Sequence, residues 1–163
     1  MLFRSLSAHG AAHGAPMPLL DAVIDTNLAQ PAKMVGLLER HFASLSGLKV
    51  AVLGLAFKED TDDMRESPAI PIITMLVERG VQVTAYDPIA TKAAQAVLPP
   101  GVRYAASLEE AVADVGAALL VTRWDEFRQL PALFAKRADA PLLIDGRRML
   151  AREAVAKYEG IGL

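Results

Sequence analysis

Residues 48–54 read LKVAVLG, a short and almost continuous apolar run that ends in glycine. Strands that alternate apolar and polar residues have one face in water, whereas a continuous apolar run is typical of a strand buried on both faces. Strands of this kind occur in parallel sheets covered by helices. We therefore predict that residues 48–54 form the first strand of an α/β domain.

Helix and strand signals alternate along the chain that follows. Ser67-Pro68 offers an N-cap followed by proline, and Gly80 is a signal for the end of the same helix. Ser107 and Glu110 have the spacing of a capping box for a later helix. The predicted strands cover 48–54, 81–86, 102–104, 117–121 and 142–144, and the predicted helices cover 67–79, 90–97, the segment after 107, and 124–136 with a break at Pro131.

Strands separated by helices predict βαβ units, and right-handed crossovers limit how such units can be arranged. The fold class we predict is α/β. It is a Rossmann-like parallel sheet of about five strands in the order 3-2-1-4-5, with helices on both faces. We expect a flexible lead-in over residues 1–16, then a long helical segment over 17–46 that is bent or split at Pro31, and then the domain itself over 47–163.

Composition excludes several classes of function. The net charge of −2 gives no global reason to expect nucleic acid or an anionic membrane as a partner. No run of about 18 apolar residues is present to span a membrane. Cysteine is absent, so this chain has no disulfide and no thiolate nucleophile, and we expect a cytoplasmic location. The acidic stretch 59–63 lacks the pattern of a calcium loop, so we expect a tight turn there and no metal.

Basic side chains follow several of the predicted strands. Lys58 and Arg65 come after strand one, Arg123 after strand four, and Arg147 and Arg148 after strand five. Ligands of such sheets bind outside the carboxyl ends of the strands where the strand order reverses, here between strands one and four. Because arginine can hold phosphate through paired donors, the sequence predicts a phosphate-bearing ligand at this edge.

The turn after strand one does not match the dinucleotide-binding pattern G-x-G-x-x-G. It reads Gly54-Leu55-Ala56-Phe57-Lys58-Glu59, so the second and third glycines are missing. We therefore expect the Rossmann-like layout without its pyrophosphate cradle, and no independent NAD site in this domain.

The residues after strand one also carry a resemblance. LGLAFKEDTDDMRESP (53–68) strongly resembles the signature that opens the carboxyl-terminal domain of the UDP-glucose/GDP-mannose dehydrogenase family. Later landmarks of that family follow in the same order, and a segment upstream resembles the helix that joins its two domains. These are AYDP (85–88), TRWDEF (122–127), DGRRML (145–150), YEGIG (158–162) and, upstream, LLDAVIDTNLAQ (19–30).

The resemblance implies a nucleotide-sugar-binding domain, with UDP-glucose as the expected ligand and GDP-mannose or a UDP-N-acetylhexosamine as alternatives. Members of the family bind NAD in an amino-terminal domain and oxidise a sugar C6 alcohol to a carboxylate through a cysteine, a step of polysaccharide biosynthesis. This chain has neither that domain nor a cysteine, so it is similar to a fragment and we expect no dehydrogenase activity from it alone. Residues 18–45 correspond to the region that builds the family's dimer, and a non-enzymatic dimerisation module is the rival interpretation.

Site residues follow from the resemblance position by position. Phe57, Lys58 and Arg147 match positions that contact the nucleotide-sugar, and Arg65 matches an arginine that reaches towards NAD. No catalytic residue and no metal ligand is expected here. Each residue also has a purely structural alternative, because Phe57 could fill the core, Lys58 and Arg147 could be solvated charges, and Arg65 could pair with a neighbouring aspartate. Asp87 is interpreted as a cap before Pro88, and Trp124 as a core anchor where a helix begins.

Overall fold

The computed structural model describes residues 2–162, which contain a six-stranded parallel sheet. The strand order is β3-β2-β1-β4-β5-β6, so the predicted order of the first five strands is confirmed. A sixth strand beside β5 was not predicted, because three residues with one charged side chain leave no apolar run to detect. The strands are β1 Lys49–Leu53, β2 Gln82–Tyr86, β3 Arg103–Tyr104, β4 Ala117–Leu120, β5 Leu142–Asp145 and β6 Tyr158–Gly160.

Helices precede and connect the strands. The predicted helix over 124–136 forms in two parts, a 3-10 helix followed by an α-helix that has Pro131 in its first turn. The α-helices are α1 Leu2–Ala12, α2 Pro18–His41, α3 Ala69–Glu78, α4 Thr91–Gln95, α5 Leu108–Val112 and α6 Leu130–Ala135, and the 3-10 helices are Asp125–Gln129 and Arg152–Ala154. No helix within residues 2–162 combines the length and the apolar character that crossing a bilayer requires.

Helix α1 corrects the expectation of a loose lead-in over residues 1–16. The glycine and histidine content of that segment favoured an irregular structure, but its alanine and leucine residues have high helix propensity. The helix is also fixed by side chains. The Ser7 hydroxyl donates a hydrogen bond to the Asp21 carboxylate of α2, and Arg4 lies 3.5 Å from the Glu66 carboxylate.

Helix α2 is a single helix, with Pro31 inside it, and it ends at His41 rather than near Ser46-Gly47. One proline removes one hydrogen bond, and here the cost is offset by burial of the turns that follow. The second half of α2 packs into the core through its buried side chains Met34, Val35, Leu37 and Leu38. Its first half leaves apolar side chains exposed, among them Leu19, Val23 and Leu28.

The sheet separates two hydrophobic cores, and β1 contributes to both. Val50 and Val52 belong to the core that also contains buried residues of α2 and α3, whereas Ala51 and Leu53 pack with Phe127 on the opposite face. All four strand residues are 0% exposed. Burial on both faces is the physical reason why the run 48–54 is apolar without alternation.

Strand register brings the carboxyl ends of the four central strands to one level. Leu53 of β1 aligns with Tyr86 of β2 and with Leu120 of β4, and Leu120 aligns with Asp145 of β5. The chain therefore leaves the sheet at neighbouring points of one edge, which we call the crest. It comprises the loops that begin at residues 54, 87, 121 and 146.

Candidate functional site

An open cavity of about 440 Å³ lies at the crest, between the loops that follow β1, β4 and β5. It contains all three residues that were predicted to contact the ligand, Phe57, Lys58 and Arg147. Phe57 is 48% exposed, so it is not the core residue of the alternative interpretation. The residues that line the cavity are Phe57, Lys58, Glu59, Thr122, Arg123 and Arg147.

Gly54 and Thr122 bring the first two of these loops together. Gly54 has φ of +83°, a conformation that side-chain-bearing residues rarely adopt, and it packs directly against the backbone of Thr122. The Thr122 hydroxyl donates a 2.6 Å hydrogen bond to the carbonyl of Ala56. These two contacts fix the distance between the loop that carries Lys58 and the loop that carries Arg123.

Asp87 is buried and forms hydrogen bonds with the same two loops. Its Oδ2 accepts hydrogen bonds from the backbone N–H groups of Leu55 at 2.7 Å and Ala56 at 3.2 Å, and from the Trp124 indole at 3.2 Å. The N–H groups that would hold a pyrophosphate in a dinucleotide-binding turn are therefore already bonded to a carboxylate. Together with the missing glycines, this contact leaves no dinucleotide cradle in the turn after β1.

The other oxygen of Asp87 caps its own loop. Oδ1 accepts hydrogen bonds from the N–H groups of Ile89 at 2.9 Å and Ala90 at 2.8 Å, which is the capping role predicted from Asp87-Pro88. The sequence did not indicate the contacts with the turn after β1, because those donors lie more than thirty residues away.

Asp145, at the end of β5, shapes the loop that presents Arg147. It is 0% exposed, and it accepts hydrogen bonds from the backbone N–H groups of Arg147, Met149 and Leu150 at 2.8–2.9 Å. The Arg147 Nε also donates a 2.5 Å hydrogen bond to the carbonyl of Val121. The Arg147 backbone is thus held by Asp145 of β5, and its side chain is held by Val121, the first residue after β4.

Two residues next to the cavity have left-handed backbone conformations. Asp60 has φ of +59° and Arg148 has φ of +49°. Such conformations are costly for residues other than glycine and are held in place by the surrounding structure. Arg148 is held because its guanidinium donates hydrogen bonds to the carbonyls of Ile161 and Gly162. Its side chain therefore fixes the carboxyl-terminal segment and does not line the cavity.

The three cations of the cavity differ in their surroundings. Lys58 makes no hydrogen bond or ion pair with any residue in the range 2–162. Desolvation lowers the pKa of Arg147, and the positive charge of Arg123 lowers it further. Arg123 itself is paired with Glu59, whose carboxylate raises the pKa of the Arg123 guanidinium. Crowded positive charge next to an open cavity is the electrostatic arrangement of an anion site.

Arg65 lies outside the cavity lining. Its guanidinium donates to Asp63 through Nε at 2.9 Å and through Nη2 at 2.8 Å, and the Arg65 backbone N–H bonds to the same carboxylate. The hydrogen bonds from Arg65 hold the pKa of Asp63 at about 2. The ion-pair alternative is therefore present in the structure, and a contact between Arg65 and NAD stays a prediction.

Two charged residues of the cavity were not predicted as site residues. Arg123 was noted only as one of the cations that follow strands, and Glu59 only as part of an acidic turn. The signal for Arg123 was its position three residues after Leu120, at the same level as the loop after β1. No local signal existed for Glu59, because its partner is 64 positions away.

Comparison with known proteins identifies the relatives of this chain. Residues 51–152 match the family model described as "UDP-glucose/GDP-mannose dehydrogenase family, UDP binding domain". UDP-glucose 6-dehydrogenase AglM of Haloferax volcanii is 41% identical over 157 residues, which cover 96% of this chain and 36% of the relative. UDP-glucose 6-dehydrogenase TuaD of Bacillus subtilis is 40% identical over 154 residues, which cover 91% of this chain and 33% of that protein.

A solved structure resembles the whole fold. The UDP-glucose dehydrogenase of the archaeon Pyrobaculum islandicum superposes with a TM-score of 0.84 at 33% identity, covering 97% of this chain and 35% of that protein. The chain spans about a third of the length of the curated relatives it matches. From its parallel sheet, its crest motifs and its match over residues 51–152, this chain belongs to the UDP-glucose/GDP-mannose dehydrogenase family and contains that family's UDP-binding domain.

Proposed function

We propose that the cavity at the crest binds the diphosphate and the sugar of UDP-glucose, and that Lys58 and Arg147 hold the phosphate oxygens. The observation that carries this proposal is the convergence of positive side chains from three separate loops on one cavity of a protein with a net charge of −2. Charge-assisted hydrogen bonds to phosphate are the strong class of hydrogen bond, and Lys58 makes no competing hydrogen bond or ion pair in residues 2–162. Phe57 offers an exposed ring for apolar contact with the sugar or base.

The proposed reaction belongs to the complete enzyme. There, two molecules of NAD would each accept one hydride from C6 of UDP-glucose, and water would supply the second oxygen of the carboxylate, which yields UDP-glucuronate. This chain would bind and orient the nucleotide-sugar with C6 directed towards the amino-terminal domain. NAD does not fit the turn after β1, because Asp87 occupies its N–H donors, so Arg65 is the proposed point of contact with a cofactor held by that other domain. A chain without cysteine or a dinucleotide cradle is expected to have no dehydrogenase activity by itself.

Titration calorimetry of the chain with UDP-glucose, UDP and uridine tests the proposal. We expect UDP and UDP-glucose to bind, and uridine to bind at least about tenfold more weakly because it lacks the phosphates that the cations hold. A circular dichroism spectrum of the same sample establishes that the protein is folded. Equal affinity for uridine and UDP would contradict a phosphate site at the crest.

Lys58→Ala is expected to weaken UDP binding by about tenfold or more, since it removes a charged hydrogen-bond donor from the cavity. Stability should hardly change, because the exposed Lys58 side chain makes no hydrogen bond or ion pair in residues 2–162. Lys92→Ala is the matched control: it removes the same charge from exposed helix α4, away from the cavity. If both variants bind UDP like the wild type, Lys58 is not part of the site.

The amino-terminal half of α2 supports a second proposal, a homodimer formed through residues 18–45. Leu19 is 82% exposed and Val23, one turn further along the same side of α2, is 43% exposed, so this side of the helix carries unpartnered apolar side chains. Light scattering with and without UDP-glucose separates the two proposals, because a dimer that does not bind the ligand would support the interpretation as a non-enzymatic dimerisation module.

Three further expectations stay predictions. They are a cytoplasmic location, a role in polysaccharide biosynthesis, and a preference for UDP-glucose over GDP-mannose or a UDP-N-acetylhexosamine.

A further inference from the structure

The cavity at the crest contains one carboxylate among its three cations. Glu59, from the loop after β1, lies against Arg123, from the loop after β4, with 3.1 Å between Nε and Oε2 and 3.4 Å between Nη2 and Oε1. Both partners line the cavity. Glu59 thus uses two nitrogens of the Arg123 guanidinium, which is the paired donor geometry that arginine offers to phosphate.

The ion pair is open to solvent. The Arg123 side chain is 62% exposed and the Glu59 side chain is 46% exposed. Exposed pairs of this kind contribute little to stability, because water screens the attraction and two long side chains must be held in one geometry. The pair can therefore separate without disturbing the fold, and a more highly charged anion in the cavity competes well for Arg123.

Glu59 and a bound diphosphate cannot both keep their preferred places. A phosphate group beside Lys58 and Arg147 would bring negative charge close to the Glu59 carboxylate, and like charges repel strongly in a partly enclosed site. The same phosphate would be attracted by Arg123, whose donors Glu59 now holds. Binding therefore requires the carboxylate to leave Arg123 and turn towards solvent.

We propose that Glu59 competes with the diphosphate for Arg123. Glu59 pairs with Arg123 while the cavity is empty. When the diphosphate enters, Glu59 releases Arg123, which then becomes a further phosphate-binding residue. This inference rests on the proposed function and adds to it a residue that limits affinity. In the free site the Glu59 carboxylate neutralises the charge of Arg123, and Lys58 and Arg147 keep theirs. Unspecific small anions are thereby held off, whereas a diphosphate that also engages Lys58 and Arg147 displaces Glu59.

A double-mutant cycle with Glu59→Gln and Arg123→Gln tests the competition, with UDP and inorganic pyrophosphate as the titrated ligands. Glutamine keeps the length of Glu59 and removes its charge. We expect Glu59→Gln to tighten UDP binding by about three- to tenfold while Arg123 is present, and by a smaller factor in the Arg123→Gln background, where only the repulsion between Glu59 and the phosphate is relieved. Affinity for uridine should not change in any variant.

Glu109→Gln is the matched control for overall charge. Glu109 is an exposed carboxylate on α5 that lies 3.9 Å from Lys136, outside the cavity, so its removal changes the net charge equally and should leave UDP affinity unchanged. The inference is overturned if Glu59→Gln binds UDP like the wild type, or if its gain is the same without Arg123. Absence of any preference for UDP over uridine in the wild type and all variants would instead overturn the proposed function, and this inference with it.

Discussion

Gly54→Ala is expected to lower the free energy of unfolding by about 3–5 kcal/mol, a large share of the roughly 5–15 kcal/mol by which folded domains are stable. Two costs combine. The φ of +83° is unfavourable for alanine, and an added Cβ would lie 2.2 Å from the Thr122 carbonyl oxygen and 2.6 Å from the Thr122 nitrogen. Backbone atoms held next to the ends of two paired strands cannot move aside as a flexible side chain could.

Gly101→Ala separates these two costs. Gly101 also has positive φ, at +89°, but an added Cβ would meet nothing within 4 Å. We expect this control to lose only about 1–2 kcal/mol, which is the conformational part alone. Urea unfolding followed by circular dichroism measures both variants. Equal losses would mean that the close approach between the loops after β1 and β4 does not stabilise the crest.

The fold was predictable because its signals are local. A buried parallel strand is a continuous apolar run, and Val50 to Leu53 satisfy that pattern within one strand. One half of the predicted capping box formed, because the Ser107 hydroxyl accepts a hydrogen bond from the Glu110 N–H, whereas the Glu110 carboxylate accepts from the N–H of Ala106 and not from that of Ser107. Helix α1 and strand β6 were not predicted, because their composition or length gives a weak local signal and packing against neighbours decides their structure.

The candidate site was predictable only in part, and the reason is again one of distance along the chain. Lys58 and Arg147 follow strands and match family motifs, so sequence alone brings them to the crest. The pairing of Glu59 with Arg123, and the contacts of Asp87 with the turn after β1, join residues that are far apart in sequence. Which side chain accepts which hydrogen bond depends on strand register and loop packing, and neither can be read from composition or spacing.

Asp87→Ala is expected to lower the free energy of unfolding by about 3–5 kcal/mol, because it leaves buried N–H groups without an acceptor. The carboxylate is 2% exposed and accepts five hydrogen bonds. Their donors are the backbone N–H groups of Leu55, Ala56, Ile89 and Ala90 and the Trp124 indole. Trp124 is the only tryptophan of the chain, so its fluorescence should report the loss of the indole hydrogen bond directly.

Two control variants show whether the loss comes from the missing hydrogen-bond acceptor. Asp87→Asn keeps the volume of the side chain, and Asp125→Ala removes the same charge elsewhere. Asparagine has nearly the same size, but its NH₂ group cannot accept, so either two or three of the donors would face another donor. We therefore expect Asp87→Asn to lose at least about 2 kcal/mol, whereas Asp125→Ala, whose side chain is 96% exposed, should lose less than about 0.5 kcal/mol. If Asp87→Asn were as stable as the wild type, the buried carboxylate would not hold the loops of the crest. The position of Lys58 would then need another explanation, because the turn that leads to it would be fixed without Asp87.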